Sequence, residues 1–403
     1  MSNFRPVDRG TAYLLPPSVD DWLPADHLAR FVVDIVDQLE LSSLSGQYRG
    51  SGSRAYHPQM LAALLIYGYA TGVASSRRIE QACQESVAFR FIAANTHPDH
   101  DTLCAFRRRF LPQLEQVFVQ VLQIAAQMKL LKLGTIALDG TKVHANASRH
   151  NALSYQRASE IEAQLKAEVQ ALLARAEAAD VADAGVAVDI PAELARRESR
   201  LAAIAEAKAE IERRAQERLA HEQAIYDTKM AAREKKAKAT GKRPGGRPPS
   251  PPSGGVRPSD QVNLTDGESR IMPRSGGGGF EQSYNGQAVV DGESRLIVMT
   301  RLVNTPVDAR ELIPMVEALG RLPAELGPPT TLLADAGYFS AANVEHCEHT
   351  GVVPLIARRR DLHYVPWFER SADPGPMPAD ADAVTRLAHR LRTIEGRTLY
   401  GLR

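Results

Sequence analysis

The sequence predicts an α/β core with a mixed sheet, preceded by an all-α domain and interrupted by an α-helical hairpin insertion. Three observations carry this. Residues 26–128 repeat apolar side chains every three to four positions, the period of a helix face. Two short apolar runs, Thr135–Leu138 and Thr331–Ala334, each stop at an aspartate. Residues 154–239 are rich in Ala, Glu, Lys and Arg with spaced Leu and Ile. At 403 residues there is room for two or three domains.

The first helix is predicted from an Asp26 cap to Glu40, with Leu28, Phe31, Val32, Ile35, Val36 and Leu39 as its apolar stripe. Pro58 suits the first turn of a second helix, Gln59 to Thr71, closed by Gly72. Ser75 or Ser76 caps a short segment through Arg77, Arg78, Ile79 and Glu80. Asp101 opens a long helix through Phe106, Phe110, Leu114, Phe118 and Leu122 to Met128. Residues 1–132 therefore read as one helical domain.

The strand Thr135–Leu138 follows and leaves the sheet at Asp139-Gly140. Across 151–239, Gly185 and Pro191 break the helical pattern, so two helices folded as a hairpin are expected. The second, of about 45 residues, would span roughly 65 Å. Leu194, Leu201, Ile204, Ile211, Leu219 and Ile225 line its apolar face. Residues 240–260 hold eleven Gly or Pro among 21, and 240–279 reads as a flexible basic linker.

Order resumes at Phe280. Strands Gln287–Val290 and Leu296–Met299 flank the turn Asp291-Gly292-Glu293-Ser294. Asp308 caps a helix with Leu312, Ile313, Val316 and Leu319; the strand Thr331–Ala334, a helix Ala341–His349 and a strand Val352–Ile356 follow. Residues 133–150 and 280–403 thus form a split core. Its order of strand, hairpin, helix, strand, helix, strand is the layout of an RNase-H-like fold.

Composition bounds the rest. Apolar residues at 44% and charged residues at 24% are ordinary for a globular chain. No apolar run reaches the roughly 18 residues that span a bilayer, and Met1 to Pro6 carry no apolar leader, so a cytoplasmic location is expected. Cys83, Cys104 and Cys347 form no CxxC pair, which argues against a disulfide framework or thiolate zinc site. His346, Cys347 and His349 lack a second ligand pair, and structural roles are expected for them. Net charge is only +1, so a nucleic-acid surface must be local. Arg77, Arg78, Arg107, Arg108 and Arg109 are candidates. So is the stretch 229–247, with eight basic side chains and one acid, Glu234.

Asp139 and Asp335 share one grammar: four apolar residues, then Asp, then Gly within two positions. On adjacent strands the two carboxylates would meet, and a hard cation relieves the repulsion of such a pair. Magnesium takes carboxylate oxygens together with water and phosphate, which suits phosphoryl transfer. An isolated Asp-Gly is more often a plain turn, so the residues alone leave both readings open. Lys142 and His144 follow on alternate positions and either touch phosphate or line a solvated edge.

The stretch Leu138-Asp139-Gly140-Thr141-Lys142-Val143-His144-Ala145-Asn146-Ala147-Ser148 resembles the first-aspartate motif of DDE-type insertion-sequence transposases. Leu333-Ala334-Asp335-Ala336-Gly337-Tyr338 resembles the second. Leu15-Pro16-Pro17-Ser18, Asp21-Trp22-Leu23-Pro24, His27-Leu28-Ala29, Ser75 to Glu80 and Pro98-Asp99-His100-Asp101-Thr102 are similar to the helical N-terminal domain of one branch. The resemblance implies an RNase-H-like core using Mg2+ or Mn2+, with Asp139 and Asp335 as catalytic residues and metal ligands. It implies binding of terminal inverted repeats and target DNA, hydrolytic nicking, and in-line attack of the freed 3′-hydroxyl. Since two ends are handled together, a homo-oligomer is expected. The family's third carboxylate is a Glu preceded by a Tyr and an Arg. Tyr400 and Arg403 match that approach and would serve DNA binding, whereas Glu395 precedes them. The third Glu is therefore expected beyond Arg403, and the chain is expected to be C-terminally truncated, with impaired catalysis. The alternatives are a non-catalytic DNA-binding product and a hydrolysis-only nuclease.

Overall fold

The computed structural model describes residues 18–48, 55–182, 189–241, 245–274, 277–358, 372 and 374–403. Met1 to Pro17, Gly185, Lys242 and Arg243, on which parts of the sequence reading fall, lie outside the described residues. The chain divides into two compact units: Met1–Ile136 with Asp291–Val298 and Glu317–Thr330, and Ala137–Val290 with Met299–Val316 and Thr331–Arg403.

The first unit holds α1 (Leu28–Asp37), α2 (Ser42–Ser45), α3 (Pro58–Ala70), α4 (Ser76–Glu85), α5 (Val87–Ile92), α6 (His100–Arg109) and α7 (Leu111–Gln127). Val36, Leu61, Leu64, Ile79, Leu103, Phe106 and Phe110 fill its core. Four expectations change here. His27 rather than Asp26 caps α1, its Nδ1 accepting from the Ala29 N–H at 3.1 Å. The buried face is Ala29, Val32 and Val36, while Leu28 and Phe31 are 44% and 53% exposed. Large side chains marked a stripe, but packing on α3 and α5 selects the face where small Ala29 permits close approach. The expected single long helix is two. Pro112 in the first turn of α7 has no N–H to return to the preceding turn, and the helix breaks at Phe110. Asp99, not Asp101, caps α6, accepting from the Thr102 N–H at 2.6 Å.

The second unit is built on a six-stranded mixed sheet. Its strands are β1 (Thr135–His144), β4 (Arg270–Pro273), β5 (Phe280–Asp291), β6 (Ile297–Val303), β7 (Thr331–Ala334) and β8 (Val353–Ile356). The order is β4-β5-β1-β7-β8, with β6 also paired to β5. β4 and β5 run antiparallel, β7 and β8 parallel. Backbone bonds at both ends, Gly292 N–H to Thr135 O and Ala145 N–H to Gln282 O, set β1 antiparallel to β5. The expected β5–β6 hairpin is present and longer than read. The Asp291 carboxylate locks its turn by accepting from the Glu293 and Ser294 N–H groups and the Ser294 hydroxyl. β1 is also longer. It runs through Asp139 and Gly140 to His144 instead of ending there, because β5 supplies partners for polar residues with no strand signal of their own.

Between β2 (Ala152–Ser154) and β3 (Gln261–Asn263), which pair antiparallel, lie α8 (Tyr155–Ala182) and α9 (Ile190–Thr240). Cross-links from Tyr155 to Glu212, Lys208 to Glu162 and Arg197 to Glu168 fix the two helices antiparallel. Leu165, Ile204, Ala207 and Ile211 pack between them. α9 has 51 residues, more than expected, and is about 75 Å long. Its apolar face is buried only as far as α8 covers it, and Ile225 is exposed. The stretch expected to be a flexible linker contains β3 and β4, since Val262 and Met272 have cores to enter. Its Gly/Pro part lies back along α9, with Arg218 bonded to Asp260 and to the Gly255 carbonyl.

After β6 come α10 (Leu312–Leu319) and α11 (Ala341–His349). Two further helices, Ala383–Arg390 and Ile394–Tyr400, close the second unit. Glu348 on α11 holds the first of them through Arg386 and through Arg390, whose Nη1 lies 2.7 Å from Oε1.

Candidate active site

Asp139 and Asp335 sit on neighbouring strands. Asp139 is in mid β1, and Asp335 follows the last residue of β7, capping a 3₁₀ turn over Ala336–Tyr338. Each aspartate uses its oxygens in the same way. Asp139 Oδ1 accepts from the Gly140 N–H, and Asp335 Oδ1 from the Gly337 N–H, both at 2.8 Å. Each Oδ2 turns to one cation: Arg403 Nη2 lies 3.2 Å from Asp139 Oδ2 and 3.7 Å from Asp335 Oδ2. A single nitrogen reaching both places the two oxygens at most about 7 Å apart. Burial works against the Arg403 charge, yet Asp139 above all, then Tyr400 and Asp335, keeps it above the ordinary arginine range. The Asp139 side chain is 66% exposed and that of Asp335 43%, so the pair is open to solvent.

The glycines of the two motifs are there for space. A Cβ on Gly140 would lie 2.8 Å from Gln287 Nε2, 3.0 Å from Asp308 Oδ1 and 3.2 Å from the Tyr338 hydroxyl. A Cβ on Gly337 would meet Asp335 Oδ1 at 2.9 Å and Asp308 Oδ2 at 3.4 Å. The Asp-Gly at 139–140 is thus no turn. It is a strand position kept bare so that a third acid and a buried polar network can approach.

That third acid, Asp308, was read from the sequence as a helix cap. It begins a 3₁₀ turn before α10 instead, and its carboxylate faces β5. Asn285 Nδ2 donates to its Oδ1 at 2.7 Å and Gln287 Nε2 at 3.1 Å. The Tyr338 hydroxyl donates to Gln287 Oε1. Ser283, Asn285, Gln287 and Val289 alternate along one buried face of β5, polar where the site lies and apolar beyond it. Burial raises the Tyr338 phenol, and the charges of Asp308, Asp139 and Asp335 raise it further. The sequence carried one signal for this network: two amides, Asn285 and Gln287, one residue apart in a strand.

The other candidate residues scatter. Tyr400 donates to the Ala334 carbonyl at 3.2 Å, so Tyr400 and Arg403 are both committed within the unit. His144 Nδ1 lies 3.2 Å from Glu281, a carboxylate it shares with Arg274. Lys142 is half-buried, with no ion pair among the described residues. In the first unit Arg107 donates to the Tyr69 hydroxyl, and Arg109 to the Gln47 carbonyl while stacking on Tyr48 and Phe110. Arg77, Arg78 and Arg108 are exposed and unpaired among the described residues. Glu395 is exposed on its helix. Cys83 and Cys347 are free and buried, their thiols pushed by burial to about 11 and about 12. No group of three His, Cys, Asp or Glu among the described residues is arranged to hold a metal ion.

Sequence profiles of two families match the chain: a transposase domain (DUF772) over residues 17–109 and a transposase DDE domain over residues 257–375. The chain belongs to the DDE-type transposases of insertion sequences. The DDE match takes in Asp308 and Asp335, while Asp139 lies outside both matches. No curated protein and no solved structure matches the transposase. A DDE domain implies an RNase-H-like fold that works with divalent metal ions. The donor set fits such an ion: two carboxylates, one oxygen of each held by a glycine amide and the other directed at a shared positive charge. Among the described residues no helix is long and apolar enough to cross a membrane.

Proposed function

We propose that this transposase cuts DNA at the terminal inverted repeats of its element and joins the freed ends to target DNA, with Asp139 and Asp335 holding Mg2+ or Mn2+. The single observation that carries the reading is the shared guanidinium: the two motif aspartates of distant sequence already converge on one positive charge. When bound, the divalent ion lowers the cost of the negative charge that builds on attacking and leaving oxygens. The chain's own residues do the rest. The Gly140 and Gly337 amides orient the two carboxylates, and Gln287 with Asn285 keeps Asp308 beside them. The open face at Asp139 admits a duplex. Lys142, His144 and the exposed Arg77, Arg78 and Arg108 contact phosphates, as does the basic end of α9. Residues 1–132 serve end binding, and the α8–α9 pair joins two copies so that both ends are handled together.

A non-catalytic, end-binding role is the second reading, favoured by the lack of a three-ligand metal group among the described residues. One assay separates the two. Labelled inverted-repeat duplex is incubated with the transposase and Mg2+, with and without target duplex. Magnesium-dependent nicking and joined product, both lost in Asp139→Asn and Asp335→Asn, are expected. Protected ends with no nicking in any metal would leave only binding, and nicking without joining would make the chain a nuclease.

A further inference from the structure

We propose that Asp308 is a third acid of the cation site, acting on the hydrated ion held by Asp139 and Asp335 through its free oxygen, Oδ2. The inference rests on the two-aspartate reading above and extends it. Its ground is an asymmetry. Asp308 Oδ1 takes two hydrogen bonds, from Asn285 and Gln287, whereas no partner is seen for Oδ2 among the described residues. The bonded oxygen fixes the carboxylate, and the free one lies toward the glycine that Asp335 also flanks: a Gly337 Cβ would stand 3.4 Å from Asp308 Oδ2 and 2.9 Å from Asp335 Oδ1. A carboxylate that capped α10 would direct an oxygen at a backbone N–H of that helix, as Asp99 does on α6, and neither oxygen of Asp308 does so among the described residues.

A second observation points independently to a missing partner. Asn285 is fully buried, and its Oδ1 has no hydrogen-bond partner among the described residues, although its amide nitrogen holds Asp308. Ser283 Oγ, next on the same face of β5, is likewise buried without one. Orphan acceptors in a dry setting are costly unless a donor or cation visits them. Since no three acids among the described residues stand close enough to wrap an ion directly, Asp308 works one layer out. It accepts hydrogen bonds from the ion's hydration shell, which suits a cation that keeps several of its waters.

The test is Mn2+ binding to the full chain without DNA, followed by the loss of the free-ion electron paramagnetic resonance signal. Thermal unfolding of each variant in metal-free buffer runs alongside. Asp308→Asn keeps an oxygen for Asn285 and Gln287 and replaces the free Oδ2 by an amide, so the fold is retained while charge and acceptor are lost. The expected result is a Kd for Mn2+ weaker by about 10- to 100-fold at an unchanged Tm. Asp308→Ser is measured in its place if the first variant fails to fold, with the same expectation. Wild-type affinity in a folded Asp308 variant, beside weakened Asp139→Asn and Asp335→Asn, overturns the role of Asp308 alone. Absence of saturable Mn2+ binding in the wild type, or binding indifferent to Asp139→Asn and Asp335→Asn, overturns this inference and the two-aspartate reading together.

Discussion

Gly140 shows how much one absent methyl group can decide. Any side chain there would press on Gln287, Asp308 and Tyr338 at once, and two of these three are almost fully buried. Gly140→Ala is therefore expected to destabilise the second unit by about 1–3 kcal/mol through overpacking, read by urea unfolding. An unchanged midpoint would mean that the network yields freely and does not set the geometry of the aspartates. Gly396 is tighter still. A Cβ would collide with the Arg390 carbonyl oxygen, which cannot retreat without breaking the turn between the two helices. Gly396→Ala should lower the Tm more than Gly140→Ala does. Since Arg403 and Tyr400 hang from that second helix, the Tyr400 bond to Ala334 should weaken as well.

Among the elements, the helix Ala383–Arg390 depends on one carboxylate of α11. Hydrogen bonds from Arg386, then from Arg390, hold the Glu348 carboxyl below its ordinary range against a burial effect of opposite sign. A lowered value in the folded state means that folding releases protons at acid pH. The stabilisation is complete above the ordinary carboxylate value and is lost as the pH falls through the lowered one. Glu348→Gln should cost about 1–3 kcal/mol at neutral pH and should flatten the acid limb of the stability curve. Equal acid sensitivity in the variant would remove Glu348 as its cause. Glu162 on α8 behaves alike: Lys166 and Lys208 bring it to about 2, and its bridge to α9 should open only in strong acid. The β5–β6 turn rests on Asp291, nearly buried and accepting three hydrogen bonds. Asp291→Ala should cost about 2–3 kcal/mol by stranding those donors, which hydrogen exchange at Ser294 would report as lost protection.

At the level of the whole chain, the local signals proved readable and the distant ones did not. Helix α11 appears at the residues expected because Ser340, its cap, and its apolar positions are neighbours in sequence. β7 and Asp335 were legible for the same reason: four apolar residues and an acid make a self-contained phrase. The far half of β1 was not. Thr141, Lys142 and His144 form strand only because β5 lies alongside, and no window of the sequence around them contains β5. Asp308 was misread on similar grounds. As a residue before a helix it has the look of a cap, and it is the return of the chain along β6, paired to β5, that brings it to Asn285 and Gln287, some twenty residues earlier. The face of α1 was legible in part: Val32, Val36 and Leu39 are buried as expected, but Leu28 and Phe31 are not, because size marked the stripe while Ala29 set the packing.

The claim on which the account turns is that one divalent ion lies between Asp139 and Asp335. Loading the transposase with Fe2+ and adding ascorbate with peroxide generates hydroxyl radical at the ion, which cuts the nearest backbone. The account predicts two cuts, one beside Asp139 on β1 and one beside Asp335 after β7, both suppressed by excess Mg2+. Cutting at only one of these positions, or at a place remote from both, would contradict it.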